Sequence, residues 1–114
     1  MEKKFLYVGH YYDIDNNYIL KIGTTNQLER RRQEHTRNYK KPSSSFQMPK
    51  NSEFVYDWFI PLSKYNTLRF EDRNREAWKN AGIGEFVRND RFYCPVKPDR
   101  VEITIRKTYI VELD

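Results

Sequence analysis

The chain has 114 residues with a formal net charge of +5, and 16% of its residues are aromatic. This length indicates a single domain, residues 1–114, with one modest hydrophobic core, and disordered chains are poor in aromatics. A lone cysteine excludes an intrachain disulfide, and one cysteine with two histidines leaves too few ligands for a structural zinc site.

The first residues predict a β-hairpin. Residues 4–12 and 18–23 are rich in aromatic and β-branched residues, which is typical of strands. The polar cluster DIDNN at 13–17 separates them and predicts a turn, and Gly23 closes the second strand.

A helix and a loop are predicted next. Asn26 and Glu29 fit the N-cap and N3 positions of a capping box, so a helix should begin there and end near residue 40. Residues 40–51 contain two prolines and three serines among lysines, which predicts a basic loop.

The second half begins with another strand and another helix. Residues 53–62 have strand composition, and Pro61 is expected to stop that strand. A helix fits residues 66–81, with Gly82 as its C-cap. Residues 82–95 are expected to be irregular or a short strand.

The last residues, 99–113, remain ambiguous between helix and strand. Val101 to Leu113 has β propensity, whereas Pro98, Asp99 and Glu102 resemble a helix start. The order β-β-α-β-α predicts an α/β (α+β) fold in which helices flank a small mixed sheet of three strands. We expect a core over about residues 4–95 and a C-terminal extension over 96–114.

The first helix directs cationic residues toward its own inner face. At about 100° per residue, Leu28, His35 and Tyr39 share one face, and Arg31 and Arg32 flank it. A simpler interpretation is that the run Arg30–Arg32 is a solvated turn whose stems cover apolar neighbours, with His35 at the edge of the core.

The second helix carries a carboxylate beside its apolar side. Glu71 lies about 20° from Trp78 on the helical wheel, whereas Glu76 projects to nearly the opposite side. A carboxylate in that position needs an arginine or a divalent cation, and an i, i+4 pair with Arg75 would also satisfy it.

These features resemble the GIY-YIG nuclease domain over roughly residues 4–95. The similarity is to the phage and viral branch in which KIG replaces YIG, here in "KIGTTNQLERRRQEH" at 21–35. In that family an essential arginine lies ten residues after the first YIG position and a histidine often follows four residues later, which matches Arg31 and His35. A metal-binding glutamate on a later helix corresponds to Glu71.

The sequence departs from the family pattern in three places. We take Tyr7 as the tyrosine of the first motif, although Tyr11 and Tyr12 are nearby, and the 13–17 turn lengthens the gap to the second motif. Lys21 replaces the second tyrosine, as in some active relatives. Arg75 stands where many relatives have a histidine.

The resemblance implies a metal-dependent DNA endonuclease that hydrolyses phosphodiester bonds with one Mg²⁺ or Mn²⁺ ion. Glu71 would hold the metal together with retained waters. Arg31 would stabilise charge on the phosphoryl group, and Tyr7 would act as general base. Lys21 and His35 would orient Tyr7 and the attacking water.

DNA contacts are expected outside this set, at Arg30, Lys40, Lys41 and Lys50, and sequence specificity is expected to need a homodimer or a partner protein. Tyr39 or Trp58 could stack on a base, but core packing is the simpler interpretation of both.

Two alternative functions remain open. One is a catalytically inactive GIY-YIG-like nucleic-acid-binding domain, and the other is a small protein-interaction domain with a basic surface. No apolar run approaches the roughly 18 residues of a membrane helix, and no signal-peptide core follows the N-terminus. We therefore expect an intracellular protein of the cytoplasm or nucleus, in the host cell if it is viral, without a membrane partner.

Overall fold

A central hairpin organises the fold. The computed structural model describes residues 3–88 and 91–113. Strands β1 (Lys3–Tyr12) and β2 (Tyr18–Thr25) pair antiparallel along their length. The Asp13 carboxylate accepts hydrogen bonds from backbone N–H groups within the connecting turn, at 2.8 and 2.9 Å. The predicted hairpin and its turn are therefore confirmed.

The sheet is larger than the sequence predicted. It has five strands in the order β3-β1-β2-β5-β4, where β3 is Val55–Ser63, β4 is Glu85–Val87 and β5 is Arg91–Cys94. Every pair of these strands is antiparallel. The predicted three-stranded, mixed sheet is wrong, because residues 82–95 supply two strands too short to show a clear alternating pattern.

Strand β3 ends later than predicted, and β2 is paired with β5 over only part of its length. Strand β3 continues past Pro61 to Ser63, so the predicted stop at Pro61 is wrong. Proline is tolerated there because β3 is an edge strand of the described sheet and its outer N–H positions need no partner. Strand β5 pairs with Tyr18–Lys21 only, so within the described residues the outer edge of Ile22–Thr25 carries no strand.

Helix α1 spans Leu28–Tyr39 and begins without the predicted capping box. Its N-cap is Gln27, whose side chain makes no capping hydrogen bond. Asn26 lies one residue too early to cap the helix. The Glu29 carboxylate instead accepts two hydrogen bonds from the Arg32 guanidinium, at 3.1 and 2.7 Å. The predicted helix is confirmed, although it spans Leu28–Tyr39 rather than about 26–40, and the predicted capping box was wrong.

Helix α2 spans Lys64–Ala81 and has well-defined caps at both ends. The Ser63 hydroxyl accepts a hydrogen bond from the N–H of Asn66 at 3.3 Å. Gly82 has a φ of 68°, which confirms the predicted left-handed C-cap. None of the described helices is sufficiently long and apolar to span a membrane.

The C-terminal residues form a second, two-stranded sheet. Strands β6 (Arg100–Thr104) and β7 (Thr108–Glu112) pair antiparallel, so the strand alternative is correct and the helical one is wrong. Asn74 exchanges hydrogen bonds of 2.8 and 2.9 Å with the backbone of Thr104, and Trp78 Nε1 donates to a β6 carbonyl at 2.9 Å. These bonds join the hairpin to α2 rather than leaving it as a separate extension.

The five-stranded sheet has two differently covered faces. On the face that we call the α2 face, Leu6, Val8 and Leu20 pack in one apolar cluster with Phe70 and Trp78 of α2. The opposite face, the α1 face, is covered by α1 and the 40–51 loop, and its cluster is Tyr7, Tyr11, Ile19, Tyr39, Met48 and Phe54. Because side chains alternate along a strand, successive residues of β1 point alternately to the α2 face and the α1 face.

Candidate active site

A buried hydrogen-bonded pair lies between β1 and α1. Tyr7 is fully buried on the α1 face, and its hydroxyl oxygen lies 2.6 Å from Nε2 of His35. Tyr7 pairs with Gly23 across the strands, and a Cβ at Gly23 would lie 2.5 Å from Tyr7 Cζ. The glycine is therefore required for the phenol to lie over β2. Tyr11 and Tyr12, the alternatives for this tyrosine, lie elsewhere: Tyr11 donates to the Phe46 carbonyl, and Tyr12 is exposed.

Burial controls the protonation of this pair. It raises the pKa of the Tyr7 phenol well above its ordinary value, and the charge of Arg31 opposes that rise only in part. Burial also lowers the pKa of His35 to about 2, helped by the positive charges of Lys21, Arg31 and Arg91. Tyr7 is thus a phenol and His35 a neutral imidazole, so we assign Tyr7 as the donor to Nε2. For Tyr7, desolvation outweighs the lowering effect of the Arg31 charge.

Arg31 occupies the first turn of α1 beside this pair. Its Nε is buried and has no hydrogen-bond partner within the described residues, while Nη1 lies 3.6 Å from the Glu34 carboxylate. Its charge acts on the phenols of both Tyr7 and Tyr56. The side chain of Arg30 is more exposed than that of Arg31, and Arg32 forms an ion pair with Glu29. The three consecutive arginines therefore have three different environments.

An open groove of about 690 Å³ adjoins Arg31. Its lining comprises Lys4, Thr24, Thr25, Asn26, Arg30, Arg31, Gln33, Glu34 and Arg37. Four of these side chains are cationic and one is a carboxylate, so the groove favours an anion. Arg31 both lines this groove and acts electrostatically on the Tyr7–His35 pair.

Lys21 lies on the same side of the sheet as this pair. It is buried on β2, where its backbone lies opposite that of Arg91 in the register with β5. Its charge contributes to the lowered pKa of His35. The structure therefore places Tyr7 in contact with His35, and Lys21 and Arg31 near enough for their charges to act on that histidine.

Arg91 belongs to this neighbourhood and was missed in the sequence. It is almost fully buried, and its guanidinium donates to Tyr11 Oη at 2.8 Å and to the Ser45 carbonyl at 2.7 Å. Its Cζ lies 4.7 Å from the centre of the Tyr39 ring, which stacks on His35 at 5.2 Å with an interplanar angle of 3°. Arg91 thus joins the 40–51 loop to the surroundings of His35.

Tyr56 is a second residue that sequence analysis missed. Its hydroxyl donates to the Leu28 carbonyl in the first turn of α1 at 2.7 Å, and its ring meets that of Tyr7 edge to face at 4.9 Å. Burial raises its pKa to about 12. Tyr56 therefore holds the start of α1, and with it Arg31, over Tyr7. In the sequence, the position of Tyr56 in a predicted strand was the available signal. The β-bulge in the pairing of β1 with β3 interrupts the alternation of side chains, so the sequence does not show which face of the sheet Tyr56 points to.

Glu71 is placed differently from the other predicted residues. Its helix packs on the α2 face, because Phe70 and Trp78 belong to the apolar cluster there. The Glu71 carboxylate lies 3.8 Å from Arg75 Nη1, as the i, i+4 alternative proposed, and Arg75 also pairs with Asp72. Glu71 is not among the described residues that line the groove. Among the five residues predicted to be catalytic, Arg31 lines the groove, Tyr7, Lys21 and His35 are buried on the α1 face, and Glu71 is on the helix that covers the other face.

The donors for a metal are sparse. Within residues 3–88 and 91–113, no group of three or more histidine, cysteine, aspartate or glutamate side chains could hold a metal ion. Mg²⁺ commonly binds through one or two carboxylates, waters and substrate phosphates, so a single glutamate fits only a site that the substrate completes. Thr24 and Thr25 point to opposite faces of the sheet, and both line the groove beside the part of β2 that β5 does not cover. The groove therefore connects the α1 face with the α2 face.

The remaining predicted DNA contacts are not part of the groove. Lys40, Lys41 and Lys50 lie at the end of α1 and in the 40–51 loop, which has no helix or strand as predicted. None of the three belongs to the described groove lining. Tyr39 is buried and Trp58 packs against Tyr109 at 5.4 Å, so both serve the core rather than offering a face for a base.

Comparison with known proteins places the chain in a family. The family profile described as the T5orf172 domain matches residues 4–107, which include the five-stranded sheet, both helices and β6. Neither the curated proteins nor the solved structures gave a match. The chain therefore belongs to the T5orf172 domain family, a phage-associated family related to nuclease-like folds.

Proposed function

We propose that the chain is a metal-dependent DNA endonuclease of the GIY-YIG type, a phosphodiester hydrolase. The observation that carries the proposal is the position of Arg31. It lines a groove with three further cationic side chains, and its charge also acts on the buried Tyr7–His35 pair. A phosphate drawn into the groove would meet the group that influences the candidate base.

Arg31 would bind the phosphate at the point of reaction. Its buried Nε has no hydrogen-bond partner within the described residues, and an unsatisfied buried donor is costly. A phosphate in the groove would satisfy that donor if the half-exposed side chain turned so that Nε met a non-bridging oxygen. The planar guanidinium could bind two oxygens at once and counter the charge that develops in the transition state.

Tyr7 and His35 would move the proton of the attacking water. Because Tyr7 rests as a protonated phenol, its oxygen can accept the water proton only as its own proton passes to His35 Nε2. His35 is a weak base in the free protein, partly because Arg31 is charged. A phosphate that pairs with Arg31 would reduce this effect and raise the basicity of His35.

Glu71 would hold the Mg²⁺ or Mn²⁺ ion together with waters and a DNA phosphate. When bound, the metal would polarise the phosphoryl oxygen and stabilise the leaving oxygen. Glu71 would have to exchange its contact with Arg75 for the metal, and DNA would have to bind around the open edge of β2. A homodimer or partner protein would supply sequence specificity, and the solvated cations Lys41 and Lys50 would add phosphate contacts outside the groove.

A second candidate function is DNA binding without cleavage. It is favoured by the complete burial of Tyr7, which a water must reach during catalysis, and by the location of Glu71 on the α2 face. This candidate keeps the cationic groove and predicts salt-sensitive DNA affinity without strand breaks.

A nicking assay distinguishes the two candidates. Supercoiled, branched and single-stranded DNA would be incubated with the protein in Mg²⁺, Mn²⁺ or EDTA. The endonuclease proposal expects metal-dependent strand breaks that Tyr7→Phe abolishes and Tyr12→Phe, at an exposed tyrosine of the same strand, does not. Salt-sensitive binding with no breaks on any substrate would favour the second candidate.

A further inference from the structure

A pair of aromatic side chains, of which Phe59 is exposed and Phe5 is partly buried, lies on the α1 face beyond the start of α1. Phe59 of β3 is 49% exposed, although it is a large apolar side chain in a strand. Its ring meets that of Phe5 edge to face at 5.9 Å and that of Tyr56 at 6.3 Å. The ring is therefore supported by other aromatics on one side and open to solvent on another.

This pair is next to the cationic groove. Phe5 pairs with Thr25, and Phe59 pairs with Tyr7, so all four residues point to the α1 face. Directly paired side chains of an antiparallel sheet have Cβ atoms about 5 Å apart. Thr25 lines the groove, as does Lys4, the chain neighbour of Phe5. The aromatic pair thus continues the floor of the groove on the sheet.

The charges of the groove beside the aromatic pair indicate which class of ligand would bind there. An apolar ring beside four cations and one carboxylate suits a ligand with a flat apolar part and a repeating negative charge. Unpaired nucleotides have this combination, because bases stack on aromatic rings while phosphates bind cations. A base within a duplex is stacked on its neighbours and cannot present its face.

We propose that Phe59, supported by Phe5, is a stacking site for an unpaired base of the DNA whose backbone lies in the groove. This inference rests on the proposed function and narrows its substrate class to single-stranded or locally unpaired DNA. For Tyr39 and Trp58, the sequence left a stacking role open but favoured core packing, and both are packed in the core.

The test is a binding measurement with the full chain in EDTA, where no cleavage can occur. The probes are oligothymidine, an abasic strand of the same length, and a duplex. Removing an aromatic that stacks on a base typically weakens binding by roughly 5- to 100-fold, so Phe59→Ala should weaken oligothymidine binding by about that factor. It should leave binding of the abasic strand and the duplex nearly unchanged, and Phe59→Trp should retain the affinity.

Ile110→Ala is the matched control, because Ile110 is also 49% exposed but lies on β7. It should bind all three probes as the unsubstituted chain does, and thermal unfolding would establish that each variant is folded. Equal losses on all probes, no loss at Phe59→Ala, or a change of oligomeric state in that variant would overturn the proposal. No nicking combined with Phe59-dependent oligothymidine binding would overturn the endonuclease proposal alone. Nicking with no Phe59 dependence would overturn the stacking site alone.

Discussion

The hydroxyl of Tyr7 and Nε2 of His35 lie 2.6 Å apart, although the two residues are 28 positions apart in the chain. The bond joins β1, an interior strand of the sheet, to α1 and forms where burial keeps the imidazole neutral. A neutral histidine beside a protonated tyrosine can take the tyrosine proton without a change of net charge in the core. Arg31 lies at the boundary of this pair and the groove, where a bound anion would alter both.

Gly23→Ala should displace the Tyr7 phenol. The added methyl group would lie 2.5 Å from Tyr7 Cζ, far inside van der Waals contact, so the ring or the strand must shift. We expect destabilisation of about 1–3 kcal/mol, the usual range for overpacking a core, and loss of nicking. Urea unfolding and the plasmid assay would measure the two effects.

The control for this variant is Gly82→Ala at the C-cap of α2. It should cost about 1 kcal/mol, because alanine is strained at a φ of 68°, but it should not affect nicking. A Gly23→Ala protein as stable and as active as the unsubstituted chain would show that the tight contact with Tyr7 is not required.

His35 should make the fold sensitive to acid. Its pKa is about 2 in the folded state against 6.5 as the ordinary value, so the unfolded chain binds the extra proton first. The stability that depends on neutral His35 is therefore complete above pH 6.5 and is lost as the pH falls. Near pH 5 this loss should reach about 2 kcal/mol.

The control variant for the acid effect is His35→Gln, which keeps a hydrogen-bond acceptor but does not titrate in this range. Urea unfolding at pH 7 and pH 5 should show a smaller drop in the free energy of unfolding for the variant than for the unsubstituted chain. An equal drop in both proteins would show that other groups determine the acid sensitivity.

Glu71→Ala should abolish metal-dependent cleavage and leave DNA affinity in EDTA nearly unchanged, because the proposed task of this carboxylate is to hold the cation. Glu76→Ala is the matched control: Glu76 is exposed on the same helix and pairs with Lys79 at 3.5 Å. Nicking with Mg²⁺ and binding by fluorescence anisotropy in EDTA would be measured for both. Similar behaviour of the two variants would mean that a different carboxylate, or none, binds the metal.

Local patterns predicted the elements whose signals lie within a few residues. The first hairpin, both helices and the Gly82 cap follow from alternation, periodicity and turn residues, and the structure contains them. The buried position of His35 and Tyr39 followed from the helical spacing, whereas spacing alone favoured a solvated Arg31. In these places the local preference and the tertiary environment agree.

The missed features depend on contacts between distant segments. Strands β4 and β5 are only three and four residues long, and they are defined less by their composition than by the pairing of β5 with β2 and of β4 with β5. Arg91 looks like a surface cation in sequence, but hydrogen bonds to Tyr11 and Ser45 stabilise it in the interior. The helical wheel correctly placed Glu71 beside Trp78, but a wheel cannot show which face of the sheet a helix covers.

The most direct test of the account is single-turnover cleavage at saturating enzyme, compared between Arg31 and Arg30. The two arginines have equal charge and both line the groove, but only Arg31 has a buried Nε and acts on Tyr7. Arg31→Ala should slow the cleavage step by about 10²-fold or more, and Arg31→Lys should restore little, because an ammonium lacks the planar two-donor geometry. Arg30→Ala should weaken binding and its salt dependence while the saturated rate stays close to that of the unsubstituted chain. Equal losses of the saturated rate at Arg30 and Arg31 would contradict the account, since they would show that the arginines contribute only charge.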